Sequence, residues 1–318
     1  MTALLKLASR VLGAGRRPAV RVAFAGLAIA LAVWAVAAEW DEVTAALRSL
    51  DAVAVLLALV ATVVNVGLAG MVWRTVLADL GSRVPIPVAA RIFFVGQLGK
   101  YVPGSVWPIV MQAELGRDHG VPRQRTATAT FVSLLLSIAS ALLVVLLAIP
   151  FDSRVVPPGF EWAVVLVVPL LIALHPTVLN WGMDRAMRIV RREPMEHRTS
   201  LRGTALATAW AVGSWVGAGF QVYALALALG APPGLDTASL AIGGYTLAWA
   251  VGFLVVVAPA GAGAREVALA AVLAPVLTNG EVIVVVLVSR LLFTGVDLAA
   301  AGLGLAAGHR HRIPVDVA

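Results

Sequence analysis

Apolar runs long enough to cross a lipid bilayer recur along this chain, and they constrain its fold more than any other feature. An α-helix needs about 20 mostly apolar residues to span the hydrocarbon core, and several runs of the 318-residue sequence reach that length. The runs are continuous and do not alternate with a period of two, which argues against a β-barrel. Hydrophobic residues make up 60% of the chain and charged residues only 13%. The sequence therefore predicts an all-α, polytopic integral membrane helical bundle.

The apolar runs predict about seven or eight spans in a single transmembrane domain that covers residues 1–318. A first half of about 22–182 and a second half of about 204–307 are joined by a basic interfacial connection at 183–203. The amphipathic stretch 177–192 predicts a helix that lies in the membrane interface. The spans are expected at about 22–38, 53–76, 127–149, 162–174, 204–229, 240–258 and 282–307.

Basic residues lie in the short connections between spans and give the chain a net charge of +7. Because cytoplasmic connections are enriched in Lys and Arg, the N-terminus and the connections 83–91, 117–125 and 185–202 are expected in the cytoplasm. The basic C-terminal tail is expected inside if 264–277 crosses the membrane or if the region of His175 and Pro176 hides another crossing, and outside if 264–277 re-enters and there are seven spans. The sequence leaves both open. Topology and anionic lipid account for the charge, so nucleic acid is not an expected partner.

Two apolar stretches are interrupted by proline and glycine, one in each half of the chain. The first reads Gly-Gln-Leu-Gly-Lys-Tyr-Val-Pro-Gly-Ser-Val-Trp-Pro at 96–108, and the second reads Pro-Ala-Gly-Ala-Gly-Ala-Arg-Glu at 259–266. The Pro-Gly pair at 103–104 cannot continue a helix, whereas Ser105 can cap a new one with Pro108 in its first turn. Irregular backbone at membrane depth needs burial or a wet cavity beside it. The pair predicts two re-entrant or broken helical segments, related by an internal repeat, at a transport site.

Polar and ionisable side chains in these segments, and in the spans beside them, are candidate substrate-binding residues. The first broken segment covers about 88–115, and the second covers about 259–275. Charges at membrane depth are costly and are functional candidates for that reason. The N-terminus of a half-helix also attracts phosphate or carboxylate groups. The candidates are Lys100, Tyr101, Gln112, Glu114, Arg117, Arg265, Glu266, Arg290, Asp297 and Asn65.

Structural alternatives stand beside these functional interpretations. Lys100 and Arg117 can extend to the lipid headgroups while their stems stay apolar. Glu266 is favourable in a first helical turn without any further role, and Arg265 can form an internal ion pair with it. Asn65 can hold two helices together by hydrogen bonding. The sequence leaves both interpretations open for each of these residues.

Two pairs in the later spans have a spacing that predicts contacts. Arg290 and Asp297 are seven residues apart, so they share one helix face. We expect each to pair with a different helix, with Glu266 as the natural partner of Arg290. Gly213 and Gly217 form a small-xxx-small pair, which predicts close helix packing and implies no chemistry.

Motifs for catalysis and cofactor binding are missing from the sequence. There is no cysteine, no zinc-protease motif and no Gly-x-Ser-x-Gly elbow. The stretch before Tyr101 lacks the spacing of a phosphate-binding loop, and Tyr101 replaces the Ser or Thr that such a loop requires. We therefore predict no catalytic residue, no cofactor and no metal, and we do not expect an enzyme.

The two broken segments also carry a family resemblance. Gly-Lys-Tyr-Val-Pro-Gly-Ser-Val-Trp at 99–107 resembles the first signature of the lysylphosphatidylglycerol synthase transmembrane, or flippase-like, family. The stretch at 259–266, with Ser289 and Arg290 downstream, resembles the second. The resemblance implies a bundle with two re-entrant helices around a central cavity, in a protein linked to moving phospholipids or polyprenyl-phosphate sugars between leaflets. It assigns the cavity role to Lys100, Glu114, Arg117, Arg265, Glu266 and Arg290. We expect no counterpart of the soluble aminoacyl-transferase domain of the synthase members in these 318 residues, so the resemblance does not imply lipid aminoacylation.

The hypothesis that follows is a translocase in the plasma membrane. Its expected partner is an anionic phospholipid or a polyprenyl-phosphate glycolipid. One alternative is a scaffold that binds a cytoplasmic synthase or glycosyltransferase through the basic stretch 185–202. A second alternative, less favoured because no catalytic constellation is found, is an interfacial headgroup transferase. A homo-oligomer is left open.

Overall fold

Every regular element of the described chain is helical. The computed structural model describes residues 34, 36–101, 106–156, 165, 169, 172, 175–189, 197–254 and 263–309. No strand occurs within these ranges, which confirms the all-α class. The α-helices are α1 (Trp40–Ser49), α2 (Ala52–Asp79), α3 (Ile86–Ala90), α4 (Trp107–Arg117), α5 (Arg123–Ala148), α6 (Pro176–Ile189), α7 (Leu201–Ala228), α8 (Leu235–Leu254), α9 (Ala264–Leu273) and α10 (Asn279–His309). A π-helical turn (Arg91–Val95) and 3₁₀ turns (Leu98–Tyr101 and Ser153–Val155) complete the described helices.

Four of the described helices are long and apolar enough to cross a membrane, namely α2, α5, α7 and α10. They coincide with the spans predicted at 53–76, 127–149, 204–229 and 282–307. The span predicted at 240–258 is helical as α8 as far as Leu254. The remaining two predicted spans, at 22–38 and 162–174, fall almost wholly outside the described residues.

Helices α2 and α7 pack along each other because small residues let their backbones approach. A side chain at Gly217 would place its Cβ 3.4 Å from the carbonyl oxygen of Ala61, and one at Gly213 would meet Leu68 at 3.3 Å. The amide of Asn65 crosses the same interface (2.7 Å to the carbonyl oxygen of Ser214 and 2.8 Å to its hydroxyl). The predicted close packing at the glycine pair is confirmed.

Helix α8 packs between α5, α7 and α9, and glycines at the helix contacts leave the space that this packing needs. A Cβ at Gly219 of α7 would collide with the backbone of Ile242 in α8. A Cβ at Gly244 of α8 would collide with the side chain of Val272 in α9. The side chains of α8 at these levels are buried in one apolar core with those of α5 and α9. Because Gly219 and Gly244 have no side chain, α8 packs closely against both α7 and α9.

Helix α10 extends from α1 at its start to the π-helical turn near its end. The backbone N–H of Gly280 donates to the Glu42 carboxylate of α1 at 2.9 Å. Near the other end, a Cβ at Gly304 would lie only 3.1 Å from the carbonyl oxygen of Ala90. Arg290 and Asp297 lie between these two contacts. The first broken segment and α1 therefore contact opposite ends of the helix that carries both charged candidates.

Polar contacts hold the end of the basic connection against α6. Asn180 of α6 accepts from the backbone N–H of Thr199 at 2.9 Å and donates to its carbonyl oxygen at 3.0 Å. Asp184 pairs with Arg198 at 3.0 Å, and Trp181 is exposed. The predicted amphipathic helix at 177–192 is confirmed as far as Ile189, and its last residues lie outside the described ranges.

Replacing Gly219 by alanine should destabilise the fold, whereas the same change at Gly67 should not. Gly219→Ala forces a methyl group into the backbone of α8, an overpacking that costs about 1–3 kcal/mol. Gly67 also lies inside a long helix, but nothing lies within 4 Å of a Cβ there. Thermal unfolding in detergent, followed by circular dichroism, should show a lower Tm for Gly219→Ala and an unchanged or higher Tm for Gly67→Ala. Equal Tm values would contradict the packing of α7 against α8.

Candidate functional site

Two ion pairs lie on one face of α10. The Nε of Arg290 is 2.7 Å from Oε1 of Glu266 in α9, and Oδ2 of Asp297 is 2.5 Å from Nζ of Lys100. The pairing of Arg290 with Glu266 is confirmed. Arg290 and Asp297 each meet a residue of a broken segment and do not pair with each other, as their spacing predicted.

The first broken segment reaches α10 through its 3₁₀ turn. The Tyr101 hydroxyl donates to Oδ2 of Asp297 at 2.7 Å, beside the Lys100 ammonium. Gly99 permits this geometry because a Cβ there would lie 2.8 Å from the backbone nitrogen of Pro108. Pro108 lies in the first turn of α4, as predicted. The two halves of the segment therefore meet at Gly99, while the residues 102–105 between them lie outside the described ranges.

The second broken segment reaches α10 through the start of α9. Gly263 has a φ of 90°, which other residues rarely adopt, and its N–H donates to Oε2 of Glu266 at 2.6 Å. The other carboxylate oxygen faces Arg290. Although Nε of Arg290 is 2.7 Å away, the two groups lack hydrogen-bond alignment, so the contact is an ion pair and not a directed hydrogen bond. Glu266 therefore serves both the helix start and the ion pair, and its expected position in a first helical turn is confirmed.

Arg265 binds aromatic groups, so the internal ion pair with Glu266 given as its structural alternative is wrong. Its Nη2 donates to the Tyr245 hydroxyl at 2.5 Å. Its guanidinium carbon lies 4.8 Å from the Tyr245 ring centroid and 5.5 Å from that of Phe293. The two rings are themselves stacked, with centroids 5.7 Å apart. The reason is competition, because Arg290 takes the free oxygen of Glu266 and the rings supply the remaining attraction.

Tyr245 and Phe293 are site residues that sequence reasoning missed. Tyr245 is buried in α8, and Phe293 is three residues after Arg290 on α10. A tyrosine in the middle of an apolar helix is a weak signal, since its hydroxyl needs a partner when buried. Phe293 gives no signal of its own in a run of apolar residues.

The ion pairs and the Arg265 group meet on α10. Both ion pairs include a residue of this helix, and Arg265 lies over the ring of Phe293, three residues after Arg290. We call this group of side chains the charged cluster. It consists of Lys100, Tyr101, Tyr245, Arg265, Glu266, Arg290, Phe293 and Asp297.

Glu114 and Arg117 lie in a separate network at the end of α4. Nη2 of Arg123 donates to Glu114 at 2.7 Å, and Arg117 is 3.4 Å from Glu114 and 2.9 Å from Asp118. The hydrogen bond from Arg123 lowers the pKa of the Glu114 carboxyl. All four side chains are about half exposed. The structure does not bring Glu114 or Arg117 to the charged cluster.

The two remaining candidates make helix contacts. Gln112 is fully buried, and its Oε1 accepts from the Thr130 hydroxyl of α5 at 2.5 Å. Its Nε2 has no hydrogen-bond partner among the described residues. Asn65 joins α2 to α7, which is the alternative role given for it above. Within the described ranges, no three His, Asp or Glu side chains come together as a metal site would require.

The fold and the charged cluster define a class of protein, a multi-pass helical membrane protein in which two interrupted segments deliver charges to one span. The chain belongs to the family of the lysylphosphatidylglycerol synthase TM region, which matches residues 20–301. This confirms the resemblance drawn from the two broken segments. Membership associates the protein with lipid modification or translocation at a membrane. No curated protein matches the chain.

Asp297→Asn should lower stability more than the double variant Lys100→Met/Asp297→Asn. The single change leaves the Lys100 ammonium without a counter-charge, and because Lys100 is partly accessible the cost is about 1–3 kcal/mol, as for an unsatisfied polar group. The double change removes both charges, and methionine fits an apolar setting. Tm values of the wild type, both single variants and the double variant give the coupling between the two residues. Additive effects would contradict the ion pair.

Proposed function

We propose that the protein is a translocase of the plasma membrane, not an enzyme. It would move the headgroup of an anionic phospholipid, or of a polyprenyl-phosphate-linked sugar, between leaflets through a charged central cavity. The observation that carries this proposal is the meeting of both broken segments on one face of α10. A transport site made from interrupted helices has this arrangement, with charges gathered where the backbone is irregular.

The ion pairs provide a way to admit a charged headgroup. Glu266 neutralises Arg290 and Asp297 neutralises Lys100, which lowers the cost of keeping charges at membrane depth. A phosphate group can replace a carboxylate as the partner of either cation. Because the cation exchanges one anion for another, the headgroup would not have to leave water without compensation, and its acyl or prenyl chains would stay in the bilayer. The displaced carboxylate would take up a proton, which removes its own charge from membrane depth.

The contacts at the helix ends support a re-entrant first broken segment. Nη1 of Arg125, at the start of α5, donates to the carbonyl oxygen of Gly81 at 3.2 Å and to the Ser82 hydroxyl at 2.9 Å. Gly81 and Ser82 directly follow α2. The chain therefore leaves α2 and returns to α5 at one place, with the segment between them. We propose that this place is cytoplasmic, together with the N-terminus.

A contact near the C-terminal end of α10 supports a cytoplasmic C-terminus. Gly304 lies beside Ala90 of α3, which belongs to the same side as the basic stretch 83–91. The charged cluster draws one broken segment from each half of the chain, which supports two related halves, 22–182 and 204–307, in one domain. Because both termini then lie on the same face, the number of spans is even, and of the seven or eight expected from the sequence we propose eight.

Single cysteines at Arg83, Asp118 and Ser153 test the re-entrant segment. The chain has no native cysteine, so each variant carries one thiol, and all three positions are exposed. A membrane-impermeant maleimide should label Arg83→Cys and Asp118→Cys from the same face and Ser153→Cys from the opposite face. Labelling of the first two from opposite faces would show that the segment crosses the membrane.

Translocation should depend on the ion pair between Glu266 and Arg290. In proteoliposomes with labelled phospholipids and a polyprenyl-phosphate sugar, Glu266→Gln and Arg290→Gln should each reduce flipping at least tenfold, because the exchangeable partner is lost. The charge-swapped variant Glu266→Arg/Arg290→Glu should recover part of the rate. The control is Glu281→Gln, a change to the first turn of the same helix α10, which should flip at the wild-type rate.

Normal flipping by both Gln variants would show that the site is elsewhere. No flipping of any lipid by folded wild-type protein would favour the scaffold alternative, which has its own supporting observation. Arg185 and Arg188 lie exposed on α6, where a cytoplasmic synthase or glycosyltransferase could bind.

A further inference from the structure

Arg265 is the cation of the charged cluster that has no carboxylate partner among the described residues. Lys100 is paired with Asp297 and Arg290 with Glu266, whereas the polar contact of Arg265 is the neutral Tyr245 hydroxyl. The neighbouring sequence at 102–105 and 255–262 contains no acidic residue that could pair with it. Three cations and two carboxylates leave the cluster with one net positive charge.

The surroundings of Arg265 hold it ready for an anion. A guanidinium has five N–H donors in a planar fork that matches a phosphate group, and one hydrogen bond to Tyr245 leaves most of them unused. The faces of Tyr245 and Phe293 fix the plane of the group without neutralising it. Arg265 also lies in the first turn of α9, where the helix dipole favours negative charge. The side chain is half-buried and so retains access from outside.

We propose that Arg265 receives the headgroup phosphate and that the single net charge of the cluster selects headgroups with one net negative charge. The ligand class is a lipid phosphodiester, whether the lipid is a glycerophospholipid such as phosphatidylglycerol or a polyprenyl monophosphate sugar. A dianionic phosphate monoester carries more negative charge than the one net positive charge of the cluster can neutralise, unless one of the two ion pairs opens. A zwitterionic lipid also carries an ammonium group, which would need a carboxylate partner. Both carboxylates of the cluster are already paired with cations. This inference rests on the proposed function and specifies its substrate class.

Lipid binding to the purified full-length protein tests the selection independently of transport. Native mass spectrometry would compare phosphatidylglycerol, phosphatidic acid, phosphatidylcholine and a polyprenyl monophosphate sugar at equal concentrations. The wild type should bind the two phosphodiesters that carry one net negative charge at least tenfold more tightly than the other two lipids. Preference for one of these two would identify the lipid source. Arg265→Gln should lose at least tenfold in affinity for both, and Arg265→Lys should recover part of it.

A change in net charge distinguishes selection from structural damage. Glu266→Gln and Asp297→Asn each raise the net charge of the cluster by one, in different ion pairs, and keep an acceptor oxygen. Both should shift preference towards phosphatidic acid by about tenfold, which a merely damaged site would not do. The matched control Glu281→Gln should keep the wild-type preference.

The outcomes separate this inference from the proposed function. Equal binding of all four lipids, or no shift with Glu266→Gln and Asp297→Asn, would overturn the selection by charge while leaving translocation untouched. Selective binding by a wild-type protein that flips no lipid would support the selection and refute the translocase.

Discussion

A charge placed at membrane depth has to be compensated, and α10 is where this chain meets that requirement. Insertion of Arg or Asp at the bilayer centre costs about 2.5–3.5 kcal/mol per residue. Arg290 and Asp297 carry opposite charges on one face of the helix, and each is met by a different broken segment. The same ion pairs that make these charges tolerable therefore hold the two segments in place. A change to either pair affects the position of a segment as well as the local charge.

The glycine contacts of α8 decide which residues can join the charged cluster. Because Gly244 has no side chain, Val272 packs directly on α8 and draws α9 against it. The start of α9 then lies close enough for Arg265 to reach the Tyr245 hydroxyl. Backbone packing that involves no polar group thus determines a polar contact. Tyr245 therefore belongs to the charged cluster, although the middle of α8, where it lies, contains no charged residue.

Sequence reasoning succeeded at the chain breaks and for the pair of Arg290 with Glu266, and it failed for other contacts that the fold decides. Proline and glycine predicted the break before Pro108 and the start of α9, because they act on their own backbone. By contrast, the family resemblance assigns Glu114 to the cavity, whereas Arg123, nine residues further on, binds its carboxylate. The contact of Tyr101 with Asp297 joins residues 196 positions apart, and nothing local indicates it. Tyr101 and Asp297 are both among the predicted substrate-binding residues, but only the fold shows that they contact each other.

The two ion pairs have opposite polarity, and this bears on how an anion could move through the site. The first broken segment brings a cation, Lys100, to an acid of α10, whereas the second brings an acid, Glu266, to a cation. Seven residues of helix separate the two positions on α10 by about 10 Å. A phosphate bound by Arg265 is near the Arg290 pair, and the Lys100 pair lies about two turns further along the helix. Cations at successive levels of one helix face would let a headgroup pass from one ion pair to the next without ever being unpaired.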